Sequence, residues 1–443
     1  FGITISKKSS GGGGGGGSDP DPDPDPTDPS GPVTEVGDDS IDTEVTEVDG
    51  QEVADVTVDD DAIKNAIEES EEGTIVVINV DSDADVVQAG FGGDMISLME
   101  KNDISISIKT ETASYSVPAK DLNISALAKE LGENVEVSDV QISIIIGQPT
   151  AEEIKVVEDQ AVKAGVQLVI PPIEFNVVCT DGENSVKVSK FNRFVERSIK
   201  VPEGVDPKTI TTAVVQDKKG NLTPVPTEVV KIDGAYYVRI KSMTNSVYTV
   251  INNIKQFADV ANHWSKDDVN DMGSRLIING VSDTTFEPDR DITRAEFMTI
   301  VVRALGIMRS GEGVDAFDDV KADAWYYDAV SIAKDYGLTN GNGDGTFAPN
   351  SKITREEAMA IIARAMKMAG MDTAVDANEI STVLGTFVDN GDVSEWAKES
   401  VSACVKNGIV SGYAGKISAK NNITRAECAA IVKRMLVKAD LID

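Results

Sequence analysis

The chain has 443 residues, of which 41% are hydrophobic, and a formal net charge of −34. So large an excess of negative charge is repelled by nucleic-acid phosphates and by anionic lipids, which argues against both as partners. No apolar run approaches the ~20 residues that span a bilayer. The charge is uneven, because residues 257–443 hold 20 Lys and Arg against 29 Asp and Glu, a net charge of −9.

The first 32 residues have the composition of an end segment and a linker. The sequence begins with Phe1 rather than Met, which favours a fragment or a processed form, and residues 1–10 are interpreted as the end of an upstream domain. Residues 11–32 contain seven consecutive glycines and then alternating Asp and Pro. Glycine runs are flexible and proline-rich runs are extended, so this segment is predicted to be a spacer that displays an upstream domain.

Residues 33–253 alternate apolar and polar side chains over several short runs, which is typical of strands. Shorter stretches of helical periodicity lie between them, so the segment is predicted to be a β-rich α+β region of one or two modules. The predicted strands lie at 104–108, 135–146, 177–178, 186–188, 227–232 and 236–240, and the predicted helices at 62–69, 93–100 and 124–131.

Internal repetition is the strongest signal in the sequence. Three segments begin with Phe and an Asp two residues later, continue to a Trp, and reach an Ile-Thr-Arg-x-Glu element. The spacing from Trp to Arg is 30, 30 and 29 residues. The repeats are predicted at residues 257–310, 317–370 and 387–441.

The Thr-x-x-Glu pattern in each element predicts a capping box at the start of an amphipathic helix. The Arg at the first helical position is unexpected, because the helix dipole disfavours a cation there. A helix N-terminus with free N–H groups and a guanidinium is a good receptor for a carboxylate. The arginines are therefore predicted to bind carboxylates, and the alternative is an ion pair with an Asp of a neighbouring repeat.

These motifs resemble the S-layer homology family in its usual set of three repeats. The resemblance implies an all-α triple repeat around a central helical bundle, with grooves between repeats that bind secondary cell-wall polysaccharide, commonly through a pyruvylated sugar. It also implies a secreted protein anchored to a Gram-positive cell wall, with no catalysis by the repeats. The candidate carbohydrate-binding residues are Asp259, Trp264, Gly280, Arg294, Asp319, Trp325, Gly341, Arg355, Asp389, Trp396, Gly412 and Arg425.

Each residue type has a structural alternative. The tryptophans are expected to pack in the core, with sugar stacking as the other interpretation. The aspartates either cap the first helix or bind a sugar hydroxyl or the arginine. The glycines are expected in turns with positive φ, which would also let the backbone approach a ligand.

Neither a cofactor nor a metal is predicted. His263 is the only histidine, so a histidine-based metal cluster or catalytic triad is not expected. The loop from Asn340 to Gly345 resembles a calcium loop, but Ser351 stands where the bidentate Glu would be, so a turn is preferred. Cys404 and Cys428 fall on apolar helix faces and are expected to be buried thiols.

Several positions depart from the family pattern. Leu276 stands where the later repeats have Gly337 and Gly408. The third repeat has Ile417 and Ala419 where the others have Phe-x-Pro, and Glu356 follows the arginine of the second repeat. The groove built mainly on the third repeat's motif is expected to be the weakest, and occupancy of the second is in doubt.

Two rival functions remain from the sequence. The intact protein could be a wall-associated hydrolase with its catalytic domain upstream. Alternatively, residues 33–253 could assemble into a surface-layer lattice, with calcium balancing the negative charge of the segment.

Overall fold

The computed structural model of the chain describes residues 31–217, 220–309 and 317–443. The predicted end of an upstream domain at residues 1–10 lies outside these ranges, as does the predicted linker except for its last two residues. A β-rich region with two mixed sheets is followed by a helical region that contains the three repeats. The predicted order of a β-rich α+β region and then a helical repeat region is confirmed.

The strands of the described residues all lie between residues 33 and 252. They are β1 (Val33–Glu35), β2 (Ile41–Val48), β3 (Gln51–Val58), β4 (Ile75–Asn79), β5 (Val86–Gly92), β6 (Ser105–Lys109), β7 (Ala113–Pro118), β8 (Gln141–Gly147), β9 (Gln167–Thr180), β10 (Ser185–Lys187), β11 (Lys190–Lys200), β12 (Thr212–Gln216), β13 (Leu222–Val225), β14 (Thr227–Ile232), β15 (Ala235–Thr244) and β16 (Ser246–Asn252).

These strands form two sheets. One has the order β1-β4-β6-β7-β11-β15-β14, and the other has the order β13-β12-β16-β9-β8-β5-β3-β2, with β10 paired to β9. The pairs β1/β4, β4/β6 and β3/β5 are parallel and the remaining pairs are antiparallel. Buried side chains from both sheets, from Val36 to Val250, pack in one hydrophobic core.

Five helices accompany the sheets and seven belong to the repeat region of the described chain. The first group is α1 (Asp60–Glu68), α2 (Gly93–Lys101), α3 (Ala119–Leu122), α4 (Ile124–Leu131) and α5 (Ala151–Ala164). The second group is α6 (Lys266–Ser274), α7 (Arg294–Ala304), α8 (Tyr327–Asp335), α9 (Arg355–Met368), α10 (Ala377–Leu384), α11 (Lys398–Lys406) and α12 (Arg425–Lys438).

The predicted helices correspond to α1, α2 and α4, and most predicted strands lie within β6, β9, β10, β14 and β15. The predicted strand at 135–146 is wrong in its first half. A 3₁₀ turn occupies Val137–Asp139, where Asp139 and Glu136 form a reciprocal capping box, and the strand starts only at Gln141. Local capping bonds therefore override the apolar alternation.

The three repeats interlock through their helices. The second helix of each repeat packs on the first helix of the next, so α7 contacts α8, α9 contacts α11, and α12 contacts α6. The helices α7, α9 and α12 also contact one another pairwise. Their buried apolar side chains belong to one core that spans all three repeats, from Phe257 to Ile442. No repeat thus has a complete core of its own.

The β-rich region contacts the repeats directly. Gly306, at φ +60°, lies against the backbone of Val225 and the ring of Pro226, where a Cβ would approach within 2.9 Å. Arg275 at the end of α6 donates to the carbonyl of Thr227 at 2.9 Å and pairs with Asp443. The two regions therefore share a packed contact that also includes the C-terminal residue.

Candidate functional site

The Ile-Thr-Arg-x-Glu elements begin α7, α9 and α12 with the predicted capping boxes. In each, the Thr hydroxyl accepts the N–H of the Glu three residues later, and that carboxylate accepts the N–H of the Thr. At Glu296, burial acts to raise the pKa, but the Thr293 N–H and the Arg290 guanidinium outweigh it and the pKa is lowered. The prediction that Thr and Glu cap these helices is confirmed.

The arginine of each element reaches across to the following repeat. Its Nε donates to a carbonyl in the loop that precedes the next Ile-Thr-Arg element. The three donor–acceptor pairs are Arg294–Phe347, Arg355–Ile417 and Arg425–Phe286, at 2.8, 3.0 and 2.8 Å. Because the third repeat donates back to the first, the contacts close a ring.

Each arginine also faces the capping-box Glu of the following repeat. Arg294 Nη1 lies 2.8 Å from Glu357, Arg355 pairs with Glu427, and Arg425 Nη1 lies 3.7 Å from Glu296. The predicted alternative of an ion pair between repeats is therefore correct in kind, but the partner is Glu rather than Asp. The capping Glu thus serves its own helix and the neighbouring repeat's arginine together.

The N–H groups at the starts of these helices are engaged. The arginine N–H groups donate to the carbonyls of Ser351, Asn421 and Arg290, and those of the next residue donate to Pro349, Ala419 and Pro288. The expectation of free N–H groups beside an open guanidinium is therefore wrong. The arginines are largely buried, with Arg294 at 7% and Arg425 at 6% exposure. The backbone of the next repeat already binds where a free receptor was expected.

A second ring lies one turn before the helices. The backbone N–H of Ile292 donates to the carbonyl of Ile423, Ile423 donates to Ile353, and Ile353 donates to Ile292, at 3.1, 3.1 and 3.2 Å. All three side chains are fully buried. The repeats are therefore joined by a cyclic set of backbone hydrogen bonds.

The aspartates at the equivalent position of the three repeats bind backbone N–H groups of a loop rather than the end of a helix. Asp259 accepts the N–H groups of Phe286 and Glu287, Asp319 those of Phe347 and Ala348, and Asp389 those of Ile417 and Ser418. At Asp389, burial acts to raise the pKa, but these two N–H bonds make it lower than usual. Of the two alternatives from the sequence, capping of the first helix is therefore excluded, and none of these bonds reaches an arginine directly.

The glycines answer to two different constraints. Gly341 and Gly412 have φ of +68° and +70°, as predicted for a turn that needs positive φ. Gly280 does not, so the prediction is wrong there. A Cβ on Gly280 would instead lie 2.5 Å from the Phe257 ring and 2.3 Å from the Ser282 carbonyl. Close packing on the first Phe of the repeat is the shared requirement, because the rings of Phe317 and Phe387 approach the other two glycines in the same way.

The tryptophans are at the surface. Trp264, Trp325 and Trp396 are 62%, 65% and 59% exposed, which overturns the expectation that they pack in the core. Such exposure of a large apolar side chain at three equivalent positions carries a cost in water. An indole with one open face is a surface on which a sugar ring can stack. The structure places the three rings where such contacts are available.

We name each junction by the two repeats that it joins. The first–second junction is the contact between the arginine of the first repeat's Ile-Thr-Arg element and the loop of the second repeat. The second–third and third–first junctions are defined in the same way. The three junctions differ in chemistry. At the second–third junction Glu356, 4% exposed, accepts the N–H and hydroxyl of Ser394 at 3.0 Å and pairs with Lys420 at 2.6 Å. The corresponding residues at the other junctions are Ala295 and Ala426.

The third–first junction contains a second guanidinium, that of Arg290. Arg290 binds Glu296 at 2.7 Å, so this carboxylate is shared between Arg290 and the more distant Arg425. Burial, and then the neighbouring charge of Arg290, lowers the pKa of Arg425. His263 lies 3.3 Å from Asp289 and 5.4 Å, between ring centroids, from Trp264. Two guanidiniums therefore compete for one carboxylate here.

The predicted buried thiols are confirmed. Cys404 and Cys428 are both free and fully buried, as is Cys179. Burial raises the pKa of Cys404 to about 12 and of Cys179 to about 11, and it raises that of Cys428 further. In the ranges that the structure covers, no helix combines the length and apolar character needed to cross a bilayer.

Comparison with known families matches the S-layer homology domain three times, at residues 256–298, 316–359 and 387–429. These residues form three S-layer homology domains. Domains of this family anchor proteins to the cell wall and are not catalytic, and they place the chain among secreted, wall-associated proteins. Each match includes the Phe, Asp, Trp and Arg on which the sequence analysis relied.

Curated relatives include enzymes and surface-layer proteins. The chain is 38% identical over 198 residues to an amylopullulanase of Thermoanaerobacterium thermosulfurigenes, covering 44% of this chain and 10% of that protein. It is 34% identical over 199 residues to an exoglucanase of Acetivibrio thermocellus, covering 45% and 18%. It is 34% identical over 181 residues to a surface-layer protein of 125 kDa from Lysinibacillus sphaericus, covering 40% of this chain and 14% of that protein.

Sequence reasoning missed the residues that make the S-layer homology junctions unequal. The sequence contains Lys420, Ser394 and Arg290, but it does not show which residues they contact. Nothing in a single repeat shows that its loop faces the arginine of the preceding repeat. One signal was present. Lys420 and Asp289 occupy equivalent positions, three residues before the Ile of each element, and have opposite charges.

Proposed function

We propose that this chain fastens a secreted protein to the bacterial cell wall by binding secondary cell-wall polysaccharide at the junctions between its S-layer homology domains. The observation that carries the proposal is the exposure of three equivalent tryptophans beside loops that the aspartates and arginines hold in place. In this proposal, α7, α9 and α12 form the central bundle that positions the junctions.

The roles of the candidate residues follow from where they lie. Trp264, Trp325 and Trp396 stack on sugar rings. The arginines bind a sugar-borne carboxylate, such as a pyruvate ketal, through the guanidinium nitrogen that now faces the capping Glu, in exchange with that Glu. The aspartates and glycines fix the loops, so they act on the ligand through the shape of the site.

Multivalency supplies the strength of attachment. Each junction contacts a small part of the polymer, so its own affinity is weak. Junctions on one rigid unit that engage the same polymer raise the overall avidity by a factor of roughly 10²–10⁴ over a single contact. No bond is formed or broken in this function.

A surface-layer subunit is the second candidate. It is favoured by the relatives from Lysinibacillus sphaericus and Bacillus anthracis, which are named as surface-layer proteins. In that case residues 33–253 assemble a lattice while the repeats hold it to the wall. A catalytic domain upstream is favoured equally by the amylopullulanase and exoglucanase relatives.

Co-sedimentation tests the proposal. The full chain is mixed with purified Gram-positive sacculi, before and after mild acid removes ketal-linked pyruvate. Binding that is lost with the pyruvate supports both the polysaccharide and its carboxylate. Binding that persists would retain the wall and refute the carboxylate contact, whereas no binding to either preparation would refute the anchor.

A further inference from the structure

The second–third junction differs from the other two by a buried carboxylate of the chain itself. Glu356 is the second residue of α9, and its side chain is only 5% exposed. Ala295 and Ala426 hold the same position in α7 and α12, where the side chain is a single methyl group. Among the three junctions, this one alone has a carboxylate at the residue that follows the arginine in sequence.

The groups around Glu356 are those that would bind a carboxylate ligand. Ser394 donates its backbone N–H to one oxygen and its hydroxyl to the other, both at 3.0 Å. The Lys420 ammonium lies 2.6 Å from the carboxylate and also contacts the Ser394 hydroxyl. An N–H, a hydroxyl and a cation form a charge-assisted donor set for an anion.

Both donors come from the third repeat, and one of them is close in sequence to its tryptophan. Ser394 lies two residues before Trp396, and Lys420 lies three residues before Ile423 in the same repeat. The Glu356–Ser394–Lys420 contacts therefore run from the helix of the second repeat to the sugar-stacking side of the third. An incoming carboxylate would have to displace Glu356 and would meet its charge.

The guanidinium at this junction, that of Arg355, also lacks the aromatic ring that lies against the other two arginines. Arg294 and Arg425 lie over the rings of Phe347 and Phe286, at 5.0 and 4.4 Å from the ring centroids. At the second–third junction Ile417 replaces the aromatic residue, and Arg355 is paired with Glu427. The two cations of this junction, Arg355 and Lys420, therefore each already bind a carboxylate of the chain.

We infer that the second–third junction is occupied by Glu356 as an internal mimic of the ligand carboxylate, so that wall polysaccharide binds at the other two junctions only. This inference rests on the proposed function, because it concerns which of the proposed sites is open. It predicts that removal of one carboxylate opens a third site, which is a gain of binding rather than a loss.

The tryptophans provide separate reporters, since the chain has three and each belongs to one junction. Full-length variants that keep one Trp, with the other two changed to Phe, are titrated with pyruvylated polysaccharide purified from the sacculi that sediment the chain. Indole fluorescence is followed. The variants with Trp264 or Trp325 alone are expected to respond, and the variant with Trp396 alone is expected to stay unchanged at the same concentrations.

Glu356→Ala is then introduced into the Trp396-only variant. It makes the junction like the other two, and a response of Trp396 within threefold of the concentration needed by Trp264 is expected. Glu395→Ala is the matched control, because Glu395 directly precedes the same tryptophan and carries an exposed carboxylate. Within the described part of the chain, that carboxylate pairs with Lys398. The control should leave Trp396 silent, and thermal unfolding of each variant confirms that it is folded.

The outcomes separate the two ideas. A response of Trp396 before the substitution would overturn the inference while supporting the proposed function. Silence of Trp396 in a folded Glu356→Ala variant would also overturn it, because another feature would then close the junction. If none of the three indoles responds, the proposed function fails and the inference fails with it.

Discussion

Asp259 and Arg425 hold the same residue, Phe286, from opposite sides. The Asp259 carboxylate accepts the Phe286 N–H at 2.9 Å, and the Arg425 Nε donates to the Phe286 carbonyl at 2.8 Å. Asp259 belongs to the first repeat and Arg425 to the third, so a single loop residue links two repeats. The same arrangement joins Asp319 to Arg294 through Phe347, and Asp389 to Arg355 through Ile417.

The arginine bonds should make a large contribution to stability. Arg425→Met is expected to lower the free energy of unfolding by about 2–4 kcal/mol, because it removes a buried guanidinium and leaves the buried Phe286 carbonyl without this donor. Urea denaturation of the full chain measures this loss. Lys367→Ala, at an exposed position of α9, should change the value by less than about 0.5 kcal/mol. An equal effect of the two changes would contradict the structural role.

Acid should weaken the loop contacts. The pKa of Asp389 is lowered in the folded state by the N–H groups of Ile417 and Ser418, so the unfolded chain binds more protons as the pH falls. Its contribution is complete above the ordinary value of 3.8 and is lost as the pH drops through the folded value. Urea midpoints of wild type and Asp389→Asn, compared at pH 7 and pH 3, should converge at the lower pH. A constant difference between them would exclude this linkage.

Leu276 provides a test of backbone strain. It has φ of +59°, where the equivalent Gly337 and Gly408 have +70° and +71°, and a side chain in this region costs about 1–2 kcal/mol. Gly408→Ala is therefore expected to destabilise the chain by about 1 kcal/mol, since open space around the position leaves the backbone as the sole cost. Thermal unfolding measures the change. Gly391→Ala, at a glycine without positive φ and with equally open surroundings, serves as the control.

The thiols should be unreactive until the chain unfolds. All three cysteines are fully buried, and the pKa of Cys404 is raised to about 12, so almost no thiolate forms near neutral pH. Ellman's reagent at pH 8 is expected to label none of them in the folded chain and all three in guanidinium chloride. Rapid labelling of one thiol in the folded chain would place that cysteine at the surface.

The sequence predicted the repeat helices well because their signals are local. A capping box, an amphipathic stripe and a Trp-to-Arg spacing all lie within one repeat. Two elements in the β-rich region could have been found in the same way. The β2–β3 hairpin turns on Asp49-Gly50, both with positive φ, which is a strong hairpin signal. Helix α5 begins with the capping box of Thr150 and Glu153.

What the sequence could not predict was which residues meet across repeats. Glu356 and Ile417 were treated as departures in two separate repeats, yet both lie at the second–third junction. The tryptophans were assigned to the core because large apolar side chains usually are buried. The aspartates of the same repeats bind backbone N–H groups 27 to 29 residues away, a pairing that no local sequence pattern reveals.

The backbone hydrogen bonds of Ile292, Ile353 and Ile423 form a closed ring, although the chain that forms it is linear. Asn253 donates to the Ser274 carbonyl at 2.8 Å and the next residue, Arg275, binds Asp443, so residues 253 and 443 lie at neighbouring points of the repeat unit. A circular permutant that joins these points and opens the chain between two repeats should rebuild the same ring. A two-repeat truncation cannot, because each isoleucine needs both neighbours. Loss of any one repeat therefore breaks the whole ring and affects all three junctions together rather than one third of them.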